Sequence, residues 1–233
     1  PFGPFYLCHR ERQWNPGEEH WIGWERKRGK LVEFNRLLGG SETTSFYVQV
    51  GDLKVLSQIK YVITLDTDTV LPHGSARRLI ATLAHPLNKA VFDTETGEIT
   101  AGYTILQPQV EIKPTSASQS LFTRVFSGDV ALDPYTCAIS NVYMDLFGEG
   151  NYTGKGIYDV DAFRRSLADR VPENTLLSHD LFEGLHGRVG LVSDIVVLED
   201  YPFQYISNAH RLHRWIRGDW QLLPRLLSRV PGA

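Results

Sequence analysis

The sequence predicts a mixed, mostly parallel α/β sheet flanked by helices, and three observations lead there. Apolar runs of strand length alternate with segments of helical periodicity along the chain. One of these runs, Tyr61-Val62-Ile63-Thr64-Leu65, is rich in β-branched residues and ends abruptly in Asp66-Thr67-Asp68, with Pro72 and Gly74 stopping it before a helical segment. The 233 residues, 42% hydrophobic and 22% charged, suffice for one large domain or two small ones around a real core.

In chain order, Phe5 to Cys8 reads as a strand and His9 to Gly17 as a polar turn. Gly23 to Leu38 carries Trp24, Leu31, Phe34, Leu37 and Leu38 near helical spacing, and Gly39-Gly40 stops it. The polar face of that helix holds Arg26, Lys27, Arg28 and Lys30, either a solvated face or a basic edge near a phosphate. Phe46 to Val50 reads as a strand, and Ser75 to Ala84 as a helix. Ala90 to Asp93 and Glu98 to Gly102 bracket Thr96-Gly97 as a hairpin. Tyr103 to Ile112 is a strand with Pro108 near one end, and Ser116 to Phe126 is helical. Asp133-Pro134-Tyr135 and the glycine-rich stretch Gly148 to Gly156 are irregular. Asp159 caps a helix to Ala168, Ser178 caps another to Val189, and Ser193 to Leu198 is a strand. Asn208 to Leu227 forms a long, aromatic and basic helix with bends expected at Gly218 and Pro224.

Composition narrows the function classes. A net charge of −3 gives no reason to expect a nucleic-acid partner. Cys8 and Cys137 are too few for a disulfide framework and have no CxxC or HxxxH nearby, so both read as reduced structural thiols, which suits a cytosolic face. No apolar run reaches the roughly 18 residues a membrane span needs. There is neither a signal peptide nor an initiator methionine, and the chain starts in mid-strand, so it reads as a piece of something longer. Five tryptophans supply faces on which sugar rings stack, although core packing uses aromatics equally well.

Asp66 and Asp68 carry the first chemical clue. They follow a strand that enters a strand–turn–helix unit, and in open α/β sheets ligands bind beyond the carboxyl ends of strands. A hard divalent cation wants such anionic oxygens, and a diphosphate wants the cation. Two aspartates in a turn are also ordinary turn formers.

Four stretches in fixed order make the clue specific: RKRGKLVEFN, LDTDTVLP, LLSHDLFEGL and RLHRWIRGDWQLLP. Together they resemble the inverting GT-A-fold glycosyltransferases of the cellulose synthase kind, and the wording between them resembles the bacterial cyclic β-1,2-glucan synthases, over nearly the whole chain. The resemblance implies a Rossmann-like GT-A domain across residues 1–233, without the first nucleotide-binding strand and the membrane helices of the family. It implies UDP-glucose as donor, a growing β-1,2-glucan as acceptor, and Mg2+ or Mn2+. It places the chain on the cytoplasmic face of the bacterial inner membrane, as part of a larger membrane-embedded synthase.

Residue by residue, Asp66 and Asp68 fall on the metal-binding DxD pair, with Asp66 also facing the donor. Asp180 falls on the catalytic base of the TED motif, where this chain reads Ser178-His179-Asp180 and keeps only the last residue. His179 either tunes Asp180 or is a surface residue, and Glu199-Asp200 is a lower-ranked rival for the base. The QxxRW motif maps onto Arg211 to Trp215, with arginine in place of glutamine. The family pattern gives Arg214 the pyrophosphate and Trp215 the acceptor glucose, with His213 beside it. Lys30 and Asn35 fall where relatives touch the nucleotide, and Gly154 lies in the loop that shapes the acceptor site.

Two other classes compete. A glycoside hydrolase or phosphorylase needs paired carboxylates about a glycosidic bond and no metal–diphosphate site. A non-catalytic glucan-binding module needs aromatics alone, which leaves Asp66, Asp68, Asp180 and Arg214 without a task.

Overall fold

The computed structural model describes residues 5–41, 43–127, 142–168, 170 and 179–223. Asp133-Pro134-Tyr135, Cys137, Ser178 and Pro224 lie outside that set. The described residues fall into two compact units, one within residues 5–60 and one from Tyr61 onward.

In the first unit, β1 (Leu7–Arg10) is followed by a hairpin of β2 (Gln13–Asn15) and β3 (His20–Ile22). Then come α1 (Arg26–Leu38) and β4 (Phe46–Val50), which returns antiparallel against β1. The hairpin replaces the polar turn expected over His9 to Gly17. Its strands hold three residues each, too short to show alternation in sequence. The Asn15 side chain closes the turn by accepting from the N–H groups of Gly17 at 2.9 Å and Glu18 at 3.1 Å. Along α1 two of the four cations on the polar face have acidic partners: Arg26 pairs with Glu18, and buried Arg28 pairs with Glu25 at 2.7 Å. Lys30 remains exposed. Cys8 is a free, half-buried thiol, pushed up by burial.

The second unit runs through β5 (Tyr61–Thr64), α2 (Ser75–Ala84), the hairpin of β6 (Val91–Phe92) and β7 (Ile99–Ala101), and β8 (Ile105–Ile112). It continues with α3 (Pro114–Ala117), α4 (Leu121–Phe126), α5 (Val142–Phe147), β9 (Gly156–Asp159), α6 (Val160–Leu167), α7 (Asp180–Gly187), β10 (Val189–Glu199) and α8 (Tyr205–Trp220). Four strands form its main sheet in the order β10-β8-β9-β5. β10 is parallel to β8, whereas β9 is antiparallel to both β8 and β5. The sheet is therefore mixed rather than mostly parallel in its pairing, although β5, β8 and β10 all run the same way. β9 itself was not anticipated, because Gly156-Ile157-Tyr158 sits between a glycine-rich loop and a strong helix cap. That cap is Asp159, which accepts from the N–H of Ala162 at 3.0 Å and starts α6.

α2 seals one face of this sheet. Leu79 and Leu83, four residues apart on one helix side, pack with Leu106, Ile157, Val192 and Ile195. Each fully buried leucine contributes roughly 1.5–3 kcal/mol. The expected single helix over Ser116 to Phe126 is broken, because Ser120 leaves it to cap α4, accepting from the N–H of Thr123 at 3.0 Å. β10 begins at Val189, ahead of the expected Ser193. Its register against β8 shifts between Val192 and Val196, where Val192 faces Pro108. Proline has no N–H to carry the ladder on. No helix among the described residues is long and apolar enough to cross a membrane.

Candidate active site

β5 ends at Thr64, a buried residue whose hydroxyl lies 2.9 Å from the Tyr152 phenol and donates to the Gly156 carbonyl at 3.3 Å. The chain then turns, the Thr69 N–H donating to the Asp66 carbonyl at 3.1 Å, and Val70 forms a bridge with Leu198 near the end of β10. Asp66 and Asp68 thus sit on a turn fastened to two strand ends, Asp66 half-buried and Asp68 exposed.

Because β5, β8 and β10 run the same way, their carboxyl ends share one edge. Lys113 follows β8 there, and its ammonium donates to the Asp68 carbonyl at 3.0 Å and pairs with Asp200 at 2.9 Å. β9 runs the other way, so Lys155, just before it, arrives at the same edge. Its ammonium stands 2.6 Å from Glu199 Oε1 and 3.7 Å from Asp66 Oδ2. The Thr69 hydroxyl donates to the same Glu199 oxygen at 3.1 Å. Glu199, a rival candidate for the base, is therefore an ion-paired anchor for Lys155.

Asp180 opens α7, where its charge suits the positive end of the helix. Its carboxylate lies flat against Gly154. A Cβ on Gly154 would stand 2.6 Å from Asp180 Oδ1 and 2.8 Å from Oδ2, and φ there is +79°, so both space and backbone require glycine. Consecutive residues thus touch the two acidic centres, Gly154 against Asp180 and Lys155 beside Asp66.

Beneath Asp180 lies a buried polar group. His179 is not a surface residue: its Nδ1 stands 3.3 Å from Asp180 Oδ1 and 3.0 Å from Oε2 of Glu183, whose side chain is 1% exposed. Ligand-type atoms of the three residues lie within 4.8 Å of one another. Tyr152 packs beside them, its phenol held well above its ordinary range by burial first, then by the charges of Glu183 and Asp180.

On α8, the Arg211 guanidinium donates to Asn208 Oδ1 at 3.2 Å and lies 5.1 Å from the Tyr201 ring and 4.9 Å from the Trp215 ring. Burial pulls this guanidinium down, while Tyr201, Glu199 and Asp68 pull it up, so the substituted arginine belongs to the electrostatics of the acidic edge. Trp215 keeps part of its ring open at 41% exposure, and Arg214 is exposed. At about 100° per residue, His213 projects from the opposite side of the helix to Arg211 and Trp215. Lys30 and Asn35 are likewise about 140° apart on α1. Lys30 is exposed, and Asn35 is buried with contacts of its own.

Asp66 and Asp68 suit a hard divalent ion. Mg2+ typically takes one or two carboxylates and leaves its remaining positions to water and phosphate. The partial exposure of both residues leaves those positions open, and Lys155 shows that the edge already draws a cation to Asp66. Sequence reading passed over Lys155, Lys113, Tyr152 and Glu183. Two of them left signals, a lysine enclosed by Gly154 and Gly156, and a glutamate one helical turn after His179.

No protein-family model matches the chain. Over 229 residues it is 47% identical to the cyclic β-(1,2)-glucan synthase NdvB of Rhizobium meliloti (strain 1021), a match spanning 98% of this chain and 8% of that protein.

Proposed function

We propose that the chain is the GT-A-type transfer segment of a cyclic β-1,2-glucan synthase, moving glucose from UDP-glucose to a growing β-1,2-glucan with inversion. The observation that carries this reading is the edge itself. Asp66, Asp68 and, across Gly154-Lys155, Asp180 gather where three strands end, in a chain 47% identical to a segment of a glucan synthase. The match spans 8% of that relative, which supports a role as one part of a larger synthase; the membrane-embedded setting and the cytoplasmic face are part of the proposal.

In this reading Asp180 takes the proton from the acceptor 2-hydroxyl. The freed oxygen attacks the anomeric carbon from the face opposite the nucleotide. The new C–O bond forms as the bond to UDP breaks, and UDP leaves with the electron pair, so an α-linked donor gives a β-linkage. Asp66 and Asp68 would hold Mg2+ or Mn2+, which supplies positive charge beside the leaving diphosphate. Arg214 offers that diphosphate a forked donor. The open face of Trp215 and the loop around Gly154 bind acceptor sugar.

The test is Asp180→Asn in the natural-length protein, with UDP-glucose and Mg2+ supplied and the product linkage determined. Transfer should fall by about 10²–10⁴-fold while UDP-glucose affinity persists. Near wild-type transfer by Asp180→Asn, or a product without β-1,2 linkages, would falsify the proposal.

A further inference from the structure

Glu183 and His179 have no task in the transfer just described, yet they are among the most buried ionisable side chains of the second unit, 1% and 6% exposed. A buried carboxylate is costly unless a charge or donor faces it. Glu183 faces the imidazole at 3.0 Å, and the same nitrogen faces Asp180 at 3.3 Å. Ionised carboxylates only accept, so a proton on Nδ1 is what the imidazole can offer the two oxygens beside it. Tyr152, a phenol from the loop before β9, is a further titratable group against this set. Lys155 on that loop is committed to Glu199 and Asp66.

We propose, resting on the assignment of Asp180 as base, that His179 and Glu183 form a positioning relay. Buried Glu183 fixes the imidazole, and the imidazole N–H fixes the Asp180 carboxylate against Gly154, turned to the acceptor. His179 touches no substrate and acts through Asp180. Its position at the helix start explains the geometry: residue 179 stands next to 180 and one turn before 183, so a single side chain reaches both. Gly154 completes the seat from the other side, where any Cβ would push the carboxylate away.

The experiment is a pH profile of kcat in the natural-length protein with saturating UDP-glucose and Mg2+, comparing wild type, His179→Ala, His179→Asn and Glu183→Gln. His179→Ala leaves two carboxylates facing each other without a proton donor, so kcat should fall about 10- to 100-fold and the acid limb should move to higher pH. Asn places an amide donor near the position of Nδ1 and should recover part of kcat. Glu183→Gln removes a negative neighbour, and its acid limb should move to lower pH. KM for UDP-glucose should stay within about twofold throughout, because the relay acts through Asp180 on the acceptor and touches no donor group. Opposite movements of the limb in the His179→Ala and Glu183→Gln profiles support the relay. Uniform loss with an unmoved limb, or movement in one direction for both, overturns it. If Glu183→Gln does not fold, the direction of the His179→Ala limb and recovery by Asn decide alone. If Asp180→Asn is itself active, the base assignment has failed. If Asp180→Asn is inactive and His179→Ala leaves the limb unmoved, the relay alone has failed.

Discussion

Replacing Lys155 with methionine removes the ammonium seated between Asp66 and Glu199 and leaves an apolar stem to fill its space. At an effective dielectric near 20, the 2.6 Å contact with Glu199 amounts to about 6 kcal/mol of attraction before desolvation. Desolvation offsets much of this, since the Lys155 and Glu199 side chains are only 12% and 15% exposed. Fully exposed pairs contribute up to about 1 kcal/mol, and breaking fully buried ones costs about 3–5 kcal/mol. We expect about 2–4 kcal/mol of local stability to be lost in Lys155→Met, most of it from stranding Glu199. Adding Glu199→Gln should then restore stability, since the double variant strands no charge. Hydrogen exchange of the β9 and β10 amides in the natural-length protein reads this directly. A second consequence runs the other way. With the ammonium gone from beside Asp66, Mg2+ titrated without nucleotide should bind more tightly. Additivity of the two substitutions within about 0.5 kcal/mol, or weaker Mg2+ binding by Lys155→Met, would refute the reasoning.

Asp68→Asn should weaken Mg2+ and UDP-glucose binding together, measured by calorimetry with and without chelator, whereas Trp215→Ala should raise KM for glucan acceptor and spare donor affinity. Asp93 gives a pH dependence. Its carboxylate accepts from the backbone N–H groups of Thr96 and Glu95, both at 2.8 Å, and these bonds hold it below the ordinary range. A depressed carboxylate stabilises above its unfolded value and ceases to do so as pH falls through its folded value. Exchange protection of the Glu95 and Thr96 amides should therefore vanish on acidification below the usual carboxylate range. In Asp93→Asn it should be independent of pH there.

Local rules made much of the architecture readable. α2 matched its expected ends at Ser75 and Ala84, and β4 its ends at Phe46 and Val50, because apolar periodicity and glycine stops agree there. Asp159 announced α6 through its capping side chain. What escaped depends on partners distant in sequence. β9 is a strand only because β5 and β8 flank it, and β10 is long only because β8 extends alongside. Asp66, Asp68 and Asp180 stood out by residue type and spacing. Lys155 finds Asp66 and Glu199 across 89 and 44 residues, and Glu183 lies buried beneath a helix start; the flanking glycines and the spacing from His179 hint at the residues but not at these partners. The basic face of α1 allowed two readings, a solvated face or a basic edge, and its sequence did not show that Glu18 and Glu25 pair with Arg26 and Arg28.

The reversed direction of β9 bears on how such a chain can diversify. Thr64 faces Gly156 in the ladder, and a one-residue slip in a strand turns every side chain to the other face. The three positions 154–156 are thereby indexed to the sheet, as a peg is to its hole. The approach from Gly148 is fastened as well, Gly150 bridging Val189 and the Gly148 carbonyl accepting from the Tyr103 hydroxyl, so the loop is held at both ends. A change of length there has to be absorbed between two fixed points, which keeps positions 154–156, and the carboxylates they touch, in place.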